Sequence, residues 1–130
     1  MKIKQDTYKM HLAIVGSRNY KDYSDCVDKI NKTLLEWNID IKNIDSCVSG
    51  GAQGADTLAE RWAKENNIRP DIKRPDWNAH GKAAGIIRNT DIVNACTHII
   101  AFPSKSGRGT QDSIRKALKL KKVVKEFYID

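Results

Sequence analysis

Short apolar runs alternate with amphipathic stretches along this chain. His11-Leu12-Ala13-Ile14-Val15-Gly16 is apolar at consecutive positions, which predicts a strand buried on both faces, as in a parallel sheet. Tyr23, Cys26, Val27, Ile30, Leu34 and Trp37 then recur at helical spacing and predict an amphipathic helix. Asp45-Ser46-Cys47-Val48-Ser49 is a second short strand that runs into Gly50-Gly51, and Ala55, Leu58, Ala59, Trp62 and Ala63 form a second helical face ending at Asn66-Asn67. Residues 68–75 hold a weak third strand around Ile72, and two prolines assign it to a sheet edge. After the polar stretch Asp76 to Gly81, residues 84–95 read as a third helix. Residues 97–102 read as a fourth strand stopped by Pro103, and residues 104–109 as a loop. Residues 111–120 read as a fourth helix with Ile114, Ala117 and Leu118 inward, and residues 123–129 as a closing strand.

The order β-α-β-α-β-α-β-α-β with short connections predicts right-handed crossovers. The expected fold class is α/β: a single Rossmann-like three-layer domain with a mainly parallel five-stranded sheet. It spans residues 1–130, with residues 1–10 as an N-terminal extension. The length of 130 residues suits one domain, and 40% hydrophobic content supplies one core.

In such a fold ligands collect beyond the carboxyl ends of the strands, near the point where the strand order reverses. Three segments here follow a strand directly: Gly16-Ser17-Arg18, the run Ser49-Gly50-Gly51-Ala52-Gln53-Gly54-Ala55-Asp56, and the run from Pro103 to Thr110 containing Gly107, Arg108 and Gly109. Glycine admits close backbone approach and positive φ. The helix that follows presents unpaired N–H groups and the positive end of its dipole. Loops of this type suit a phosphate or carboxylate. Thr110 and Asp56 have two readings each, as helix caps or as ligand contacts. Neither loop has the lysine and hydroxyl residue of a P-loop, so ATP hydrolysis of that kind is not expected.

Arg18, Arg88 and Arg108 are the candidate anion-binding cations, with Asn89 beside Arg88. Trp77 is read either as a stacking surface for a base or as a pin holding its loop. His80 is read as a phosphate donor, an acid/base or a structural residue. The net charge of +7 favours anionic partners, although lysines supply most of it and suit a solvated surface equally well. Cys26, Cys47 and Cys96 lie among apolar neighbours in no ligand spacing, so buried thiols are expected, with neither a metal nor a cofactor. No apolar run approaches the roughly 20 residues of a membrane span. A cytoplasmic location, with no membrane partner, is the expectation.

Val48 to Asp56 resembles the first loop of the SLOG superfamily, which joins the Lonely Guy phosphoribohydrolases with the DprA/SMF DNA-processing proteins. Asp76-Trp77, His80-Gly81-Lys82, Ala84-Gly85, Ile87-Arg88-Asn89, Ala101-Phe102-Pro103 and Gly107-Arg108-Gly109-Thr110 resemble its small stand-alone branch, found in bacteria and phages. The resemblance runs from about His11 to Val124. It implies a Rossmann-like fold that binds a nucleotide or nucleotide derivative, and self-association of the kind common in that superfamily, for which the exposed parts of the two tryptophan-bearing helices are the candidate surface and which the sequence itself does not show.

Lonely Guy enzymes cleave a base from a nucleoside monophosphate with a P-G-G-x-G-T-x-x-E loop and an arginine on the preceding helix. Arg88 matches that arginine, and Gly107, Gly109 and Thr110 match the loop. Ser113 stands at the glutamate position. Asp112 is adjacent but points about 100° away on a helix. The first expectation is therefore a sensor or sequestering protein for a nucleotide ligand. The alternative is a hydrolase using Arg88 with Asp56, Asp112 or His80. A second alternative is DprA-like binding of single-stranded nucleic acid, since the first loop also resembles the S-G-x-A-x-G-I-D of that group.

Overall fold

The computed structural model describes residues 10–129. Of the expected N-terminal extension, residues 1–10, all but Met10 lie outside the described residues, and Met10 belongs to the first strand instead. Five strands form one all-parallel sheet: β1 (Met10–Gly16), β2 (Ile44–Ser49), β3 (Arg69–Ile72), β4 (His98–Phe102) and β5 (Val123–Glu126). Their spatial order is β3-β2-β1-β4-β5. Four helices connect them: α1 (Tyr23–Glu36), α2 (Ala55–Glu65), α3 (Ala84–Ala95) and α4 (Arg108–Lys119).

The expected alternation of strand and helix is present, and β3 takes the edge. There Pro70, which has no N–H for a sheet ladder, sits in register with Cys47.

The pattern of side chains decides which helix covers which face. Leu12 and Ile14 of β1 point to one side with Ile100 and Phe102 of β4, and pack against Ile30 and Leu34 of α1 and Ala59 and Trp62 of α2. Ala13 and Val15 point to the other side with Ile99 and Ala101, and pack against Ile92 and Val93 of α3 and Ile114 and Ala117 of α4. The sheet is thus covered on both faces, as the unbroken apolar run of β1 requires. The chain moves outward from β1 to β3 with α1 and α2 on one face. It then crosses back beyond β1 and proceeds through β4 to β5 with α3 and α4 on the other. The order reverses between β1 and β4, whose C-terminal loops leave toward opposite faces.

Several boundaries differ from the sequence expectation. The fourth helix starts at Arg108 rather than at Gln111, so Gly109 and Thr110 lie in its first turn. Residues 104–109 carry two glycines and no apolar side chain, so no helical periodicity marks the first turn in the sequence. Leu118 is exposed rather than inward, because only Ile114 and Ala117 face the sheet. The closing strand stops at Glu126, yet the chain beyond it stays pinned by Phe127 N–H donating to Ala101 O and Ile129 N–H donating to Pro103 O. The stretch read as polar and irregular holds one helical turn, Trp77–His80, capped by the Asp76 carboxylate accepting from Ala79 N–H. Trp62 is buried in the core and offers nothing to a partner, whereas Leu35 of α1 is exposed. All three cysteines are buried and unpaired, and burial pushes the Cys26 and Cys47 thiols up to about 12 and that of Cys96 to about 11. Among the described residues, no helix is long and apolar enough to cross a membrane.

Candidate functional site

Where the strand order reverses, the loops after β1, β2 and β4 meet and enclose a cavity of about 370 Å³. That volume lies at the lower end of the ~300–1,000 Å³ typical of small-molecule sites. Gly16, Ser17 and Arg18 line it from β1, Ala52 and Asp56 from the loop after β2, and Arg88 and Asn89 from α3. Gly107, Arg108, Gly109 and Thr110 close it from the β4 side.

Two glycines let these loops meet. A Cβ at Gly54, whose φ is +76°, would stand 2.3 Å from Ser17 O and 2.5 Å from Arg18 O. The backbones touch there, and Ala55 N–H donates to Ser17 O. A Cβ at Gly16 would meet Phe102 O at 2.6 Å, which holds the ends of β1 and β4 together. Hydrogen bonds and excluded volume, rather than ligand, set this junction.

The two glycine-rich loops, similar in sequence, do different work. In the first, the Asp56 carboxylate turns back into its own loop and accepts from Ala52 N–H at 3.1 Å and from the Gly50 N–H. The loop thus carries its own anion. Burial raises the Asp56 pKa, opposed by those amides and by the charge of Arg88. In the second loop, Gly107 caps α4 without any side-chain bond, and the first turn holds no acidic residue. The N-terminus of α4 therefore faces the cavity with its amide donors uncapped and its dipole uncompensated.

Arg88 links the two. Its Nη1 donates to Gly50 O at 2.6 Å and its Nε to Asn89 Oδ1 at 3.0 Å. These bonds use two of the five guanidinium donors. Gly50 makes room for this contact, since a Cβ there would lie 2.6 Å from Nη1. Burial makes the Arg88 charge harder to hold, Asp56 offsets part of that, and Arg18 adds to it. Asn89, itself buried, then donates through Nδ2 to Gly109 O at 3.3 Å and to Asp112 Oδ2 at 3.1 Å, tying α3 to the start of α4.

The remaining sequence candidates lie behind or outside the cavity. Ser49 and Gly50 are buried beneath the first loop, and among the described residues no partner reaches the Ser49 hydroxyl. Gly51, at φ +73°, packs against Ile72 and Arg74. Pro103 is fully buried. Asp112 faces away: its carboxylate is held by Lys116 at 2.9 Å and Arg115 at 3.1 Å as well as by Asn89. Burial pulls its pKa up, but the bonds from Lys116 and Asn89 outweigh burial and leave it lowered. Trp77 and His80 are exposed on their helical turn and do not reach the cavity, because that turn packs along α3 at Gly85.

Sequence reasoning missed Val15, Asn19 and Ile92, which also line the cavity. Asn19 continues a loop already singled out, and Ser104 and Ser106 line the cavity from within the run Pro103 to Thr110. Ile92 lies four residues after Arg88, one helical turn on, and that spacing was a usable signal. Ser113, considered only for the carboxylate it lacks, lines the cavity as a buried hydroxyl donating to Gly109 O at 3.5 Å.

Fold and cavity together define a doubly wound α/β domain with its cleft at the switch point. Residues 10–80 match the YspA, cpYpsA-related SLOG family, and the chain belongs to that family. It is 37% identical over 112 residues to the Gene 61 protein of Mycobacterium phage D29, an alignment covering 82% of this chain and 86% of the phage protein. Among solved structures it resembles DNA processing protein A from Streptococcus pneumoniae, with a TM-score of 0.69 at 19% identity. That match covers 90% of this chain but only 50% of the pneumococcal one. DNA processing protein A from Helicobacter pylori, whose structure is described for its single-stranded DNA binding mode, gives a TM-score of 0.66 at 20% identity. It covers 97% of this chain and 68% of that one.

Proposed function

We propose that the protein binds a phosphate-bearing nucleotide or nucleotide derivative in the cavity between β1 and β4, and holds it without cutting it. One observation carries this: the half-buried Arg88 guanidinium and the uncapped N-terminus of α4 converge on one cavity, with Arg18 and Arg108 at its rim. Positive groups held out of water favour an anion that replaces the lost hydration. The first loop offers fewer donors, because Asp56 already takes the amides of Ala52 and Gly50. Holding rather than cutting follows from position 113. A serine there lacks the carboxylate that the Lonely Guy mechanism needs, and Asp112 is turned away into its own ion pairs.

Titration calorimetry with nucleoside mono- and diphosphates of the four common bases tests the proposal. Binding by the wild-type protein, reduced at least tenfold in Arg88→Ala and with no free base released on prolonged incubation, supports it. Absence of binding across the panel overturns it, and base release that depends on Arg88 replaces it with the hydrolase reading.

A second reading, single-stranded nucleic acid on the same face, is favoured by the likeness to the two DNA processing protein A structures and by the charge of +7. It predicts oligonucleotide affinity that falls steeply with salt, as released counterions require.

A further inference from the structure

A second recess of about 450 Å³ lies beside the first, between the start of α1 and the end of the chain. Asn19 lines both. A second link comes from the start of α4. There Gln111, next to the cavity residue Thr110, donates through Nε2 to the Tyr128 hydroxyl at 3.0 Å, and Tyr128 lines the second recess. A molecule leaving the Arg88 cavity over Asn19 therefore arrives on Tyr128.

The two recesses differ in chemistry. The first carries three arginines against the single carboxylate of Asp56. The second pairs Lys21 and Lys29 with Asp22 and Asp25, and so is close to neutral. Lys29 and both carboxylates are already paired from within, while Lys21 stays exposed at the edge. The Asp22 carboxylate caps α1 by accepting from Asp25 N–H, and Asp25 accepts from Lys29 Nζ at 2.7 Å and from the Tyr20 hydroxyl at 2.6 Å. What it offers a ligand is the half-exposed ring of Tyr128, the apolar side of Ile129 and the amide of Asn19. A flat ring bearing hydroxyls or amides suits such a surface, because every base has a π-face that stacks on an aromatic ring.

From this juxtaposition we infer that the ligand has two nucleoside units: a nucleotide seated in the first cavity with its phosphate against Arg88 and α4, and a second nucleoside carried beyond that phosphate onto Tyr128. The ligand class is a phosphate-bridged dinucleotide, rather than a mononucleotide. This rests on the phosphate-binding reading of the first cavity and adds a second subsite to it.

The test compares AMP and ADP with diadenosine diphosphate, and the guanosine counterparts likewise, on the wild-type protein and on Tyr128→Ala and Tyr128→Phe. The expected result is binding of the dinucleoside diphosphate at least tenfold tighter than of the mononucleotides. Tyr128→Ala removes that advantage while leaving mononucleotide affinity within twofold, and Tyr128→Phe, which keeps the ring, retains most of it. Equal affinity for one-unit and two-unit ligands, or equal loss of both in Tyr128→Ala, overturns the second subsite and leaves the first cavity's role intact. Binding of none of these nucleotides overturns both.

Discussion

Arg88 Nη1 donates to the carbonyl oxygen of Gly50 at 2.6 Å, across 38 positions of sequence. One bond thereby fixes the guanidinium of α3 against the loop after β2, and the missing side chain at position 50 is what lets it approach. The first prediction concerns this pair. Gly50→Ala puts a Cβ 2.6 Å from Nη1 and 3.0 Å from Asp56 Oδ2. The side chains there can shift, so the fold should survive with a loss of about 1–2 kcal/mol. Nucleotide affinity should fall at least tenfold because the guanidinium is displaced. Thermal melts and calorimetry on the same preparation separate the two effects, and undiminished affinity would show that the placement of Arg88 does not matter.

Gly54→Ala should be far worse. The obstacle there is backbone, at 2.3 Å from Ser17 O, and φ is +76°. Neither the strand end nor the loop can move without parting β1 from α2. Strain of this kind costs ~1–3 kcal/mol before the clash is counted. The variant should melt at a much lower temperature than Gly50→Ala, or fail to fold. Equal melting temperatures for the two would contradict the backbone contact.

Gly109→Ala provides the complementary case. A Cβ at Gly109 meets nothing within 4 Å, and the residue lies in the first turn of α4. Alanine should stabilise the helix by up to ~1 kcal/mol. If a phosphate packs against this turn, the methyl group blocks it and affinity drops while stability rises. A simultaneous rise in stability and unchanged affinity would place the phosphate elsewhere.

The fourth prediction is a pH dependence. Burial raises the pKa of Asp56 in the folded protein above its value in the unfolded chain. The unfolded chain then releases this proton first. The stability associated with protonated Asp56 is fully present below the unfolded carboxylate range and is lost as pH rises through the folded pKa. Asp56→Asn does not ionise, so its melting temperature should gain on that of the wild type as pH rises above ~4. Asp112, whose pKa is lowered, acts in the opposite sense and in a lower window: Asp112→Asn should lose ground to the wild type as pH rises from the folded pKa toward ~4, with little further change above it. Parallel curves for Asp56→Asn and wild type would rule out a buried, raised carboxyl at this position.

The sequence by itself determined the strands, the helices, their alternation and the edge position of β3. Each follows from local chemistry: apolar runs that tolerate burial on two faces, apolar positions at helical spacing, and prolines without an N–H to donate. It also marked the segments after β1, β2 and β4, because glycines at strand ends are visible without coordinates. It did not show that Asp56 would satisfy the amides of its own loop while α4 kept its first turn uncapped, since both motifs read alike as text. Nor did it show that Trp77 and His80 would stand outside the cavity on a helical turn, or that Asn19 and Ile92 would stand inside. Those outcomes depend on which atoms come within hydrogen-bonding distance once β1 and β4 lie side by side. A periodicity reports only which face a residue occupies, whereas the contact between Arg88 and Gly50 arises from packing two distant segments together.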